Sequence, residues 1–194
     1  MSAAQRAAWR DRRLTPLGFV LDGREYLVPD PPARVWVLAV LSPEPADLLL
    51  DLLPEDVAAE LWEDVQDPEC DTTPDLLYRI GQTLLGAAAG RPWWQATQLV
   101  AQLVEDWVYL DGRAADRALG DPLDWSVERL CNWVYLRLVE HADAATRARI
   151  DAQLAAPPVA ALTTAGEDEV PEGWEDESSS WDLAAAQLGG STRA

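Results

Sequence analysis

Residues 90–112 read GRPWWQATQLVAQLVEDWVYLDG, and this stretch decides the fold class. Pro92 suits the first turn of a helix, where its missing N–H would have no partner anyway. From there Trp93, Ala96, Val100, Leu103, Trp107 and Leu110 recur at three- and four-residue spacing, on one helical face. Gln95, Gln98, Gln102, Glu105 and Asp106 fill much of the rest. Asp111-Gly112 reads as the terminator, so the pattern predicts one long amphipathic helix.

The flanking segments repeat that logic. Downstream, Asp124-Trp125-Ser126 opens a helix with Val127, Leu130, Cys131, Val134 and Leu138 on one stripe, and Asp143 caps a last helix running through Ile150 and Leu154. Upstream, Thr72 with Asp75 three residues on resembles a capping box, and its helix carries Leu77, Ile80, Leu84 and Leu85 to Gly90. Pro54-Glu55-Asp56 starts a helix with Val57, Leu61 and Val65, and Ser42-Pro43-Glu44 reads as a further start. Residues 33–41 are an apolar run that periodicity leaves open between helix and strand. Before them, Phe19-Val20-Leu21 and Arg24-Glu25-Tyr26-Leu27-Val28 flank Asp22-Gly23, the signature of a two-residue hairpin turn. The expected fold is mainly α: an orthogonal bundle of six to seven helices with a small N-terminal β-hairpin.

Composition sets the outer bounds. The chain has 194 residues, 34 acidic against 15 basic, and a formal net charge of −19; every basic residue is Arg. At 48% apolar it can fill a core. The charge disfavours nucleic acid, whose phosphates need a basic footprint, and anionic membranes alike. The longest apolar runs are too short to span a bilayer, and the Arg-rich start lacks the apolar core of a signal peptide. The expected organisation is a flexible basic N-terminus over 1–16, a helical domain over 17–158, and a disordered acidic tail over 159–194. Pro157-Pro158 stops the last helix, and the run Glu167–Glu177 and Ser178–Ser180 that follows is poor in core-forming residues.

Catalytic and cofactor motifs are missing. The sequence has no Gly-rich phosphate loop, no CxxC, no HExxH and no GxSxG. One His and two distant Cys, Cys70 and Cys131, suit neither a metal site nor a disulfide framework. Glu63, Asp64, Asp67, Glu69 and Asp71 lack the spacing of a calcium loop and read as a solvated acidic stretch. The expectation is a protein that is no enzyme, with no catalytic residues, no cofactor and no metal.

Tryptophan rises above this background, with 10 in the chain. Trp36, Trp62, Trp93, Trp94, Trp107, Trp125 and Trp133 lie in the helical region. Trp93 and Trp94 are adjacent, and neighbours in a helix cannot share a face. One of them is expected to turn from the core, which makes Trp93, Trp94 and Trp107 candidate client-binding residues, since Trp is enriched at binding surfaces. Trp174 and Trp181 sit beside acids in the tail and are candidate short linear anchors.

Three stretches resemble the tail assembly chaperones of long-tailed, siphovirus-like phages of actinobacteria. They are the opening FVLDGREYLVPDPP (19–32), the segment GRPWWQATQLVAQL (90–103), and WVYLRLVEHAD (133–143) leading to LAAPP (154–158). The resemblance covers about residues 17–158. It implies a mostly helical fold with a small N-terminal β element. It also implies that the chain binds the aggregation-prone tape-measure protein, with the tail-tube protein as a possible second partner, while the tube polymerises. Such a protein works in the host cytoplasm and is absent from the mature virion, and the family often makes a longer form by ribosomal frameshifting. Two other readings of the same residues are a structural or head–tail completion protein of a phage, and an acidic interaction protein that mimics nucleic acid.

Overall fold

The computed structural model describes residues 16–158, and the basic start, the acidic tail, Trp174 and Trp181 lie outside the described residues. The chain enters through a hairpin, β1 (Leu17–Leu21) and β2 (Arg24–Val28), paired antiparallel with Phe19 opposite Tyr26. Asp22 and Gly23 take the positive φ values (49° and 76°) that a tight hairpin turn requires. Phe19 and Tyr26 stack at 4.8 Å on the inner face, beside buried Leu21 and Val28.

Eight α-helices follow among the described residues. They are α1 (Ala33–Leu41), α2 (Asp47–Leu50), α3 (Glu55–Gln66), α4 (Pro74–Ala89), α5 (Trp93–Glu105), α6 (Trp107–Asp116), α7 (Val127–Val139) and α8 (Ala144–Ala155). A 3-10 turn at Pro122–Asp124 precedes α7. The fold is therefore mainly helical with one N-terminal hairpin, as the patterning predicts.

The centre of the core is α4, α5 and α7, each packed on the other two. Leu77, Leu84 and Leu85 from α4 meet Leu99, Val100 and Leu103 from α5 and Leu130, Cys131 and Val134 from α7 in one buried cluster. α1 adds Trp36, fully buried, and α2 adds Leu48 and Leu49. Gly81 makes the α2–α4 approach possible: a Cβ there would lie 3.0 Å from the backbone carbon of Leu48. α3 and α8 are peripheral; α3 buries Leu61 alone, and α8 buries no residue completely.

Several local expectations hold. Ser126 accepts from the Arg129 N–H and Asp143 from the Thr146 N–H at their helix starts. Gly90 ends α4 at φ 66°, with the Arg91 N–H bonded back to the Gly86 carbonyl at 3.2 Å. The open segment 33–41 is a helix. Its first N–H, that of Ala33, donates to the Trp125 carbonyl at 2.7 Å, and Arg34 pairs with Asp124.

Three local expectations are corrected. The cap of α4 is Thr73, which accepts from the Leu76 N–H at 3.2 Å. Thr72 is instead buried and accepts from the Cys70 thiol. Ser42 closes α1, and its hydroxyl turns back to the Glu44 N–H and to Asp47, so the following helix starts only at Asp47. The long helix over 92–110 breaks at Asp106, whose φ and ψ of −104° and 16° leave the helical region, and α6 restarts at Trp107. Gly112 lies inside α6 and terminates nothing. The break raises the helix number to eight, above the expected six to seven.

Candidate functional site

Trp93 and Trp94 begin α5, directly after Pro92. Both are half-buried. Their rings meet edge to face, with centroids 5.9 Å apart and planes at 87°, the arrangement that places a positive ring edge on a negative face. Trp93 packs on the core and Trp94 packs against Trp93. Trp93 stands at the α4–α5 junction, where a Cβ on Gly86 would come within 3.4 Å of its backbone nitrogen. Trp107 is also half-buried against the core. The structure brings Trp93 and Trp94 together as neighbours and sets Trp107 apart from them, at the start of α6.

The apolar surface left open lies elsewhere. Val108 is 86% exposed, Leu136 59% and Tyr109 54%. Val104 and Leu38 are exposed as well, and Trp62 on α3 is the exposed tryptophan among the described residues. Val108 and Tyr109 fall off the stripe of Trp93, Ala96, Val100, Leu103, Trp107 and Leu110, so periodicity leaves them out of the core without marking them as a surface. The inward residues of α6 are Leu110 and Ala114, and Val108 and Tyr109 turn out.

A second arrangement involves α6 and α7. Trp125 and Trp133 meet edge to face at 5.9 Å. Arg129 lies 4.0 Å over Trp125, and Arg117 and Arg137 stand 5.7 and 5.4 Å from the centre of Trp133. Arg117 lies 3.5 Å from Glu140, and Arg137 contacts the same carboxylate. Burial holds the Arg137 guanidinium below its usual pKa, and the nearby charges of Arg113 and Arg117 push the same way. The i, i+4 pairs Arg113/Arg117 and Trp133/Arg137 are visible in the sequence, but their meeting depends on how α6 and α7 are placed.

No cluster of three or more His, Cys, Asp or Glu that could hold a metal ion occurs among the described residues. Cys131 is buried on the α7 stripe, and burial pushes its thiol up to about 11. His141 is exposed, 3.7 Å from Glu140. No helix among the described residues is long and apolar enough to cross a membrane. Comparison with protein-family models, with curated proteins and with solved structures finds no match to this chain.

Proposed function

We propose that this chain is a tail assembly chaperone of a long-tailed phage, which binds the tape-measure protein and keeps it soluble while tail-tube subunits assemble around it. One observation carries the reading: large apolar side chains stand open on α6 and α7, Val108 and Tyr109 on one and Leu136 on the other, in a chain of net charge −19. Exposed apolar anchors bind an aggregation-prone helix, and like-charge repulsion keeps loaded copies from coalescing. The mainly helical fold with an N-terminal hairpin is the one the family resemblance implies. Val108 and Tyr109 replace Trp93 and Trp94 as the first client contacts, because the two tryptophans are half-buried on each other and on the core. Trp174 and Trp181 remain proposed anchors in the acidic tail. The protein acts in the host cytoplasm, makes no use of a cofactor, and leaves before the virion is complete.

The test is co-expression with the tape-measure protein of the same phage. Wild type is expected to raise the soluble fraction of that protein, and Val108→Ser/Tyr109→Ser to lower it again while keeping the wild-type far-UV spectrum. A tape-measure protein equally insoluble with and without the chain sinks the proposal. In that case recovery of the chain in purified particles would favour a structural virion protein. Competition with DNA for a host protein, weakened by salt, would favour a nucleic-acid mimic. Client binding unchanged by removal of 159–194 would dismiss the tail anchors alone.

A further inference from the structure

The hairpin departs from the pattern of a half-buried sheet. An antiparallel sheet with one face on the core alternates apolar and polar residues, whereas strands apolar on both faces are covered on both. The inner face holds Phe19, Leu21, Tyr26 and Val28. The outer face holds Gly18 opposite Leu27 and Val20 opposite Glu25. Val20 is 68% exposed and Leu27 62%, so β1 is apolar throughout and its outer face lies open among the described residues.

Two features say what fits that face. Gly18 leaves a notch in it: a Cβ there would lie 2.6 Å from the Tyr26 carbonyl oxygen and 3.4 Å from Leu27 Cδ2. Glycine within a strand marks a close approach by another group, and an aromatic ring laid over it restores the packing that the missing side chain forfeits. The charge around the notch is negative. Arg24, the one base of the hairpin, turns to Glu60 on α3, so Asp22 and Glu25 have no ion-pair partner among the described residues.

We infer that the outer face of the hairpin is the docking site of residues 1–15 of this chain, with Trp9 over Gly18 and against Val20 and Leu27, and its flanking arginines facing Glu25 and Asp22. In a chain of net charge −19, this segment carries Arg6, Arg10, Arg12 and Arg13 against Asp11 alone, and Trp9 is its one aromatic residue. It joins β1 at Pro16, which has no N–H to extend the ladder past Leu17. Trp9 precedes Leu17 by eight residues, a reach of about 12 Å if helical and about 27 Å if extended. Gly18 is the second residue of β1, and the whole strand is only about 14 Å long, so either form brings Trp9 onto the notch. The tether holds the segment at an effective concentration of about millimolar, which sustains a contact too weak for separate chains. The docking stands apart from the chaperone reading, since it uses neither α6 nor α7.

The experiment is nuclear magnetic resonance on the full-length protein, with Val and Leu methyl groups and Trp indoles labelled. Cross-peaks are expected from the Trp9 ring to the methyls of Val20 and Leu27. Trp9→Ala should shift those methyl resonances and leave those of Val108, Leu136 and buried Leu99 in place. Glu25→Gln should weaken docking about twofold, the effect of one exposed ion pair, and lower the cross-peaks accordingly. Val20→Ser/Leu27→Ser, at exposed positions, should move the Trp9 indole resonance while the core methyls stay where they are. The inference is overturned if Trp9 gives no cross-peak to either methyl, or if Trp9→Ala leaves both methyls in place. It is overturned equally by an unmoved Trp9 indole in the folded Val20→Ser/Leu27→Ser protein. Cross-peaks found only between differently labelled copies in a mixed sample would assign the face to a second copy and overturn it too.

Discussion

Gly112→Ala and Gly81→Ala are the same chemical change inside two helices, and the structure requires opposite outcomes. Gly112 sits in α6 without a positive φ, and a Cβ added there meets nothing within 4 Å. The variant therefore gains the full difference in helix propensity between Gly and Ala, about 1 kcal/mol. Gly81 sits in α4 against α2, where a Cβ would lie 2.9 Å from Leu48 Cγ and 3.0 and 3.1 Å from the Leu48 backbone carbon and oxygen. Ordinary carbon contacts need about 3.5–4.0 Å, so the α2 backbone must retreat by roughly half an ångström or more. That loosens Leu48 and Leu49, both buried, and overpacking of this kind costs about 1–3 kcal/mol, more than the propensity gain. The two variants should thus differ by the overpacking cost, about 1–3 kcal/mol in unfolding free energy, on opposite sides of wild type. Urea denaturation followed by far-UV circular dichroism reads this directly. A destabilised Gly112→Ala would mean that Gly112 is the left-handed terminator that Asp111-Gly112 suggests in the sequence, and that α6 is misplaced. A Gly81→Ala protein as stable as wild type would refute the close α2–α4 approach.

Three further outcomes are expected. Ala118 holds a left-handed φ of 53° just after α6, with the Leu119 N–H bonded to the Ala114 carbonyl, so Ala118→Gly should raise stability by about 0.5–1 kcal/mol in the same urea assay. Asp143 is held below the usual carboxylate range by the backbone N–H of Thr146, and a depressed folded pKa adds stability that is complete above the unfolded value and lost as pH falls through the folded one. Asp143→Ala should therefore unfold more readily than wild type at pH 7, the gap closing in acid, while Asp143→Asn retains most of the cap. With Ellman's reagent at pH 8, Cys70 should react at once and Cys131 only as fast as the protein unfolds, because Cys131 is 1% exposed and its thiol is pushed up to about 11.

What could be read from the chain follows the range of the interactions involved. Ser126, Asp143 and Gly90 satisfy backbone groups within a few residues of themselves, so their role is written locally. Residues 33–41 differ, because the helix entry is completed by a carbonyl at Trp125 and an ion pair at Asp124, both remote in sequence. The break at Asp106 has no Pro or Gly to announce it. The Asp106 N–H still donates to the Gln102 carbonyl and its carbonyl still accepts from the Leu110 N–H, so the hydrogen-bond ladder runs through Asp106 and only its φ and ψ depart from helical values. A helical phase carried through Asp106 puts Trp107 and Leu110 on the face of Trp93, and both do pack on the core. Trp93 and Trp94 do take different directions, as adjacency in a helix requires. Adjacency alone does not show that each ring serves as the other's cover.

The proposed client surface is selective through charge as well as through apolar contact. Contacts through Val108, Tyr109 and Leu136 rest on removal of apolar area from water, which moderate salt leaves nearly intact. Charge acts on the same client over a longer range, about 10 Å at 0.1 M salt. The acid-rich elements of the domain, α3 and the segment through Asp75, repel an acidic segment, and a chain of net charge −19 adds to that repulsion. A client helix that lays its acids on the domain is turned away, and one that presents an apolar face with its acids turned to solvent is admitted. Selectivity at α6 and α7 therefore follows from repulsion elsewhere as much as from the apolar contact itself.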